Sequence, residues 1–309
     1  MGGSGGYGFE RTRDRAWQPP DLESSLGQTR QQAAEAEVAA AFADALAEIN
    51  QTDTEALNRH KDEILKALKS DFEEAYDLQG GGSYTRHTYV NGLSDIDVLF
   101  DLGPFSTSKI PNKEDPSAVL ADMEKRLQQR FPNTKITSGK MAVTIQFSDG
   151  LELQVLPAFR YHSGYRIPDP QGPGWTITRP QVFAKLLRER NAEVGGKLLR
   201  CIKLAKRICD NKSVEIKSYH LENMAVKAFE HYTGSGTDED MLRHLFNQAK
   251  VLAATKMRDI TGQDVYVDRY LTSKTERTTL ARQLAAIERD IAKAEGDGSA
   301  WRSLLGLPS

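Results

Sequence analysis

Cysteine is scarce in this chain: Cys201 and Cys209 are the two among 309 residues. Both fall in one expected helix, too far apart along it to bridge. A disulfide framework is therefore excluded, and reduced thiols in a cytoplasmic compartment are the simplest reading. No Cys/His cluster has zinc spacing, so no zinc is expected. Neither sign of charge dominates. The 41 Lys and Arg against 43 Asp and Glu leave a formal net charge of −2, which argues against global attraction to nucleic acid. Long hydrophobic runs are missing as well, and the N-terminus lacks the basic-then-apolar order of a signal peptide. No membrane association is expected. No internal repeat is visible.

The length suits one large core or two lobes sharing a cleft. Residues 1–30, Gly-rich and then rich in Arg, Asp, Pro and Ser, lack apolar periodicity and read as a disordered tail. From Gln31 a helix carries Val38, Phe42, Leu46 and Ile49 on one stripe. Thr52-Asp53-Thr54-Glu55 has capping-box spacing, and the helix it starts places Leu57, Ile64, Leu65, Leu68, Phe72 and Tyr76 on one face. A helix from about Pro116 to Phe131 follows a polar loop. Met141–Phe147 and Leu151–Leu156 read as strands joined at Ser148-Asp149-Gly150, a hairpin signal. Tyr161–Pro180, rich in Gly and Pro, reads as a loop, and the remainder as helices. The last of these spaces Leu280, Leu284, Ile287 and Ile291 for packing on the body.

The most informative segment is Gly81-Gly82-Ser83 followed by Ser94-Asp95-Ile96-Asp97-Val98. A Gly-Ser turn opening a helix offers small side chains and free backbone N–H groups, which suit a triphosphate. Asp-Ile-Asp inside an apolar run reads as a strand, and period-2 alternation puts Asp95 and Asp97 on one face. Carboxylates on one edge facing a phosphate cradle make a site for Mg²⁺ carrying a nucleoside triphosphate. Either half alone is a common turn or a solvated edge; together they outline a nucleotidyltransferase.

Gly82-Ser83-Tyr84-Thr85-Arg86-His87-Thr88 with Ser94-Asp95-Ile96-Asp97 resembles the signature of the DNA polymerase-β-like nucleotidyltransferases. More narrowly, it is similar to the branch holding oligoadenylate synthase, cyclic GMP-AMP synthase and the bacterial cyclic oligonucleotide synthases of antiphage signalling (the CD-NTase or SMODS group). His87 stands where a glycine is often seen. The resemblance implies an α/β (α+β) fold, with a mixed sheet, N-terminal helices and a C-terminal helical lobe. The nucleotidyltransferase half would span 31–165 and the helical nucleotide-binding lobe 166–309, the site lying between them.

The family strand that ends in an acid, two apolar residues and Pro-Ala resembles Leu151–Phe159. The family's acid falls at Gln154, an amide here, and Glu152 on the same strand face is the candidate third carboxylate beside Asp95 and Asp97. Lys-x-x-Lys, a spacer and then Ser-Tyr-His resembles the donor-nucleotide pocket. There Lys206 and Ser218 would hold terminal phosphates and Tyr219 would stack on the base, which stacking alone does not specify. Lys206 is expected near Arg200 and Lys203 on the polar side of its helix. Arg86, Lys203 and Gln154 are further candidates for nucleotide contact. His220 and Glu222 are expected to pack or cap their helix. Ile260–Gln263 and Val267–Tyr270 look familiar from the bacterial synthases without an assignable chemistry.

The resemblance thus implies two Mg²⁺ ions (or Mn²⁺), NTP substrates such as ATP or GTP, release of pyrophosphate, and a cyclic di- or trinucleotide read by a downstream effector. Three alternatives share parts of this pattern: a transferase that modifies another molecule, a linear oligoadenylate synthase, and a nucleotide-binding sensor that has lost catalysis.

Overall fold

Ile96–Pro104 and Glu152–Tyr161, which alternate apolar with polar residues at their starts and run apolar and buried through their middles, form two neighbouring strands around which the sheet is arranged. The structure, a computed structural model, describes residues 22–51, 54–72, 77–80, 82–91, 96–263 and 265–308. The first part of the chain forms α1 (Leu22–Ile49), α2 (Thr54–Asp71), β1 (Asp77–Gly80), α3 (Gly82–Thr85), β2 (Ile96–Pro104) and α4 (Pro116–Arg130). Five strands follow: β3 (Lys135–Ser138), β4 (Val143–Gln146), β5 (Glu152–Tyr161), β6 (Gly164–Pro168) and β7 (Trp175–Thr178). The rest is helical, with α5 (Pro180–Glu193), α6 (Leu198–Asn211), α7 (Ser218–Ala228), α8 (Asp238–Leu252), α9 (Lys274–Lys293) and α10 (Gly298–Leu304).

The sheet runs β1-β2-β5-β4-β3, with β6 added to β5 and β7 to β6. β2 and β5 are parallel and the other pairs antiparallel, so the sheet is mixed. β5 gives one edge to β2 and divides the other between β4 and β6. Ile96, Val98 and Phe100 share a face with Leu153 and Val155 and bury against Leu57, Ile64 and Leu68 of α2 and Val119 and Met123 of α4. Removing such side chains from water contributes roughly 1.5–3 kcal/mol each. The opposite face carries Asp97, Leu99 and Gln154, and it remains partly open at Asp97. The Asp149-Gly150 turn forms as expected, with Gly150 at φ +87°, a conformation open to glycine.

Three expectations change. Helix α1 begins at Leu22, so residues 22–30 are helical and not tail; residues 1–21 lie outside the described ones, as do Thr52, Asp53 and Tyr76. The stripe Val38, Phe42 and Ile49 packs into the core of the C-terminal helices, where the Phe42 ring lies 4.7 Å from that of Trp301. α1 therefore belongs to the helical core. Finally, Tyr161–Pro180 is not a loop: β6 and β7 extend the sheet to Thr178. A Cβ on Gly164 would lie 2.3 Å from the Thr178 carbonyl oxygen, so this glycine permits the strands to close. Sheet gives way to helix at Arg179, not after residue 165.

The last long helix packs as expected, with Leu280, Leu284, Ile287 and Ile291 buried and a capping box formed by Ser273 and Glu276. Among the described residues no helix is long and apolar enough to cross a membrane. Both thiols are buried in α6, and burial raises their pKa, that of Cys209 to about 12. They are poor nucleophiles.

His220, in α7, is fully buried; its Nδ1 lies 2.9 Å from the Tyr270 hydroxyl, and its Nε2 has no partner among the described residues. Burial pushes its pKa down to about 4, against the attraction of Asp268. The unfolded chain therefore binds a proton that the folded one refuses. Stability should be fully present above pH 6.5 and fall as the pH drops toward 4, by up to roughly 3 kcal/mol. Urea melts at pH 7 and pH 5 should show the loss, and His220→Gln should flatten the slope.

Candidate active site

Asp97 is the second residue of β2, and its carboxylate meets the turn that opens α3. Gly82 has φ +59°, and a Cβ built on it would lie 2.3 Å from Asp97 Oδ2. Only a glycine backbone comes this close to that carboxylate. Ser83 is buried beside it, its carbonyl accepting the Thr88 N–H at 2.9 Å. His87 takes φ +57°, a left-handed conformation that explains why glycine suits this position. Gly81 and Asp95 lie outside the described residues.

On β5, Gln154 is the register partner of Asp97. Glu152 is paired across the other edge with Gln146, whose Nε2 donates to Glu152 Oε2 at 2.9 Å. The structure thus sets Gln154, not Glu152, directly beside Asp97. Among the described residues no three His, Cys, Asp or Glu side chains converge as a metal site. What they do offer is oxygen alone: the Asp97 carboxylate in its glycine-lined recess, the Gln154 amide oxygen, and Glu152 on the same strand face. Hard oxygen donors without nitrogen or sulfur fit Mg²⁺ or Mn²⁺.

The helical lobe supplies the cations. Lys206, on the polar side of its helix, is nonetheless buried: it is 6% exposed and donates to Glu222 Oε1 and the Thr88 carbonyl, both at 2.8 Å. Burial lowers its pKa, while the charges of Glu222 and Asp97 act in the opposite sense, so Asp97 and Lys206 feel each other across the lobes. Of its expected neighbours, Arg200 pairs with Asp238 and Lys203 donates to Asn50 Oδ1 at 2.6 Å. Burial lowers the pKa of Lys203, and the charge of Lys206 adds to the effect. Arg86 pairs with Glu222 at 2.8 Å and lies over the rings of Phe183 (5.3 Å) and Tyr219 (5.6 Å).

Ser218 opens α7, and Tyr219 follows, half-buried, with its ring 4.8 Å from that of Phe183. Its hydroxyl donates to Asp259 Oδ2 at 2.9 Å. Asp259 Oδ1 accepts the Thr261 N–H at 2.8 Å, and the Ile260 N–H reaches Asn223 Oδ1. The segment Ile260–Gln263 is therefore the brace that orients this ring. Burial and Asp259 raise the tyrosine pKa, so the hydroxyl stays a donor. Tyr219→Phe should destabilise the fold by about 1–2 kcal/mol, read in urea melts, because Asp259 loses a partner while the ring face is kept.

A family model matches residues 37–191, half of the chain: the Second Messenger Oligonucleotide or Dinucleotide Synthetase domain, SMODS. The chain belongs to this family. Its SMODS segment runs from α1 to α5 and contains Gly82, Ser83, Asp97, Glu152 and Gln154; Lys206, Ser218 and Tyr219 lie beyond it. No curated protein matches the chain in sequence. The SMODS fold of this chain is similar to CdnC of Escherichia coli MS115-1 solved with ATP, at TM-score 0.70 and 16% identity over 86% of this chain and 96% of that one. CdnG of Bradyrhizobium diazoefficiens, in complex with GTP, matches at TM-score 0.70 and 15% identity, covering 86% and 95%. The Vibrio cholerae cyclic AMP-GMP synthase DncV, with a linear intermediate, matches at 0.55 and 11%, covering 88% and 84%.

Glu222 and Asp259 were missed as contributors to this site. A glutamate among Leu221, Met224 and Ala225 needs a cationic partner once buried, and that pattern was the available signal for Glu222.

Proposed function

We propose that this chain joins NTPs into a cyclic di- or trinucleotide second messenger with release of pyrophosphate. The observation that carries this reading is the glycine-lined recess at Asp97, together with a lysine buried in α6 and bonded to Thr88 just after the Gly82-Ser83 turn. Gly82 and Ser83 would receive the triphosphate through backbone N–H groups, and Lys206 and Ser218 would hold its terminal phosphates. Tyr219 would carry the base, with Arg86 and Lys203 as further cations near the nucleotide. Asp95, Asp97 and Glu152 would hold two Mg²⁺ ions, which supply Lewis acidity at the reacting phosphate when bound. A ribose hydroxyl oxygen attacks the α-phosphorus, the bond to the β-phosphate bridging oxygen breaks, and pyrophosphate leaves toward Lys206. Glu152 takes up the hydroxyl proton. The linear product would then rebind with its new end as donor and close into a ring.

ATP and GTP, present in the CdnC and CdnG structures, are the first substrates to try. An effector that binds the product, a cytoplasmic setting and a role in antiphage defence follow from the same reading. Mass spectrometry of the product from mixed NTPs and Mg²⁺ tests it, and resistance to phosphatase separates a ring from a linear oligomer.

Gln154 beside Asp97 favours a second reading, a nucleotide-binding sensor without catalysis. Thermal stabilisation by a nucleotide with no pyrophosphate release from any NTP would establish it.

A further inference from the structure

Where α7 meets the end of the α3 turn, a carboxylate is closed off from water. Glu222 is fully buried, accepts three hydrogen bonds and makes a further ion-pair contact. Arg86 Nε donates to Oε2 at 2.8 Å, and its Nη2 lies at ion-pair distance from the same oxygen, also 2.8 Å. Lys206 Nζ and Thr88 Oγ1 give the other hydrogen bonds, at 2.8 and 2.6 Å to Oε1. Thr88 carries the connection further, since its N–H holds the Ser83 carbonyl and its own carbonyl accepts from Lys206 Nζ. One carboxylate is thus bonded directly to the lysine and, through a single residue, to the nucleotide turn.

Two cations and one anion leave this cluster with a formal charge of +1 in a nearly dry setting, an arrangement that costs free energy unless another anion approaches. From β2 that anion is Asp97, and a triphosphate would be another. Glu222 itself does not open to solvent and cannot touch a substrate.

We propose that Glu222 is a positioning residue that locks Lys206 and the Ser83 turn into one phosphate-binding unit. The proposal rests on the phosphate-holding roles given above to Lys206 and Ser83. A neutral amide in its place could accept from only one of the two cations, would turn its NH₂ group toward the other, and would leave Arg86 and Lys206 to repel each other. Lys206 would then keep only the Thr88 carbonyl and the weaker attraction of Asp97.

The experiment compares wild type and Glu222→Gln by calorimetric titration with α,β-methylene ATP and GTP in Mg²⁺, and by steady-state pyrophosphate release. Kd and KM should rise about tenfold or more. A purely structural carboxylate would instead lower the melting temperature and the active fraction with KM unchanged, and that result overturns the proposal. If Glu222→Gln does not fold, Thr88→Val decides, since it removes one hydroxyl and keeps both ion pairs: weaker analogue binding supports the proposal, and wild-type affinity overturns it. Should wild type bind an analogue but release no pyrophosphate, the synthase reading fails, while the binding comparison still decides the role of Glu222. Should wild type bind neither analogue, the phosphate-holding roles fail and the proposal falls with them.

Discussion

Asp97→Asn is expected to reduce product formation from NTPs by at least a hundredfold, with the protein still folded. Asparagine keeps the volume that fits against Gly82 but removes the charge that would hold a divalent cation, and its amide N–H₂ group is no ligand. Losing one electrostatic element of this kind typically costs ~2.7–4 kcal/mol in the transition state, and a shared metal site multiplies the damage. A second readout is independent of turnover. Mn²⁺ with α,β-methylene ATP should raise the melting temperature of wild type and leave the variant nearly unmoved. An Asp97→Asn protein that retains a tenth of wild-type synthesis would remove Asp97 from the site.

Gly82→Ala should be nearly as damaging, by a different route. The new methyl group would meet Asp97 Oδ2 at 2.3 Å, Cβ at 2.7 Å and Cγ at 2.9 Å, so the carboxylate must move. The left-handed backbone adds about 1–2 kcal/mol for a residue with a Cβ, and forced overpacking typically costs ~1–3 kcal/mol more. Activity should suffer beyond stability, because a shift of about 1 Å at a reacting centre can cost a hundredfold in rate. Urea melts and pyrophosphate release on the same preparation separate the two losses. If Gly82→Ala loses stability but keeps full turnover, the turn has a folding role alone.

The β2 face was readable in advance because period-2 burial leaves no choice: with Ile96 and Val98 inside, Asp97 must face outward. The hairpin at Asp149-Gly150 and the helix from Pro116 were legible for similar reasons, a turn dipeptide and an Asp-Pro helix start. β6 and β7 were not, since Gly164 and Pro168 punctuate a loop and a closely packed strand equally well. Neither could α1 be assigned to its partners from its own stripe, which states only that one face is buried. Lys206 shows the same limit more sharply. Helical spacing placed it on the polar side, but whether that side meets water or Glu222 is decided by a residue sixteen positions away and by Thr88 in the loop after α3. The resemblance located the position; packing decided what surrounds it.

The pairing of Phe42 with Trp301 reaches beyond packing, into synthesis on the ribosome. The apolar stripe of α1 emerges well before the helix that covers it. At ~5–20 residues per second the interval is on the order of tens of seconds. Over that time Val38, Ala41, Phe42, Ala45 and Ile49 can be covered only by the middle helices or by a chaperone. The sheet half, whose core is complete by Trp175, can form without waiting. Birth order therefore separates two events that the finished molecule hides: a sheet that closes during translation, and a helical body sealed only after Trp301 arrives.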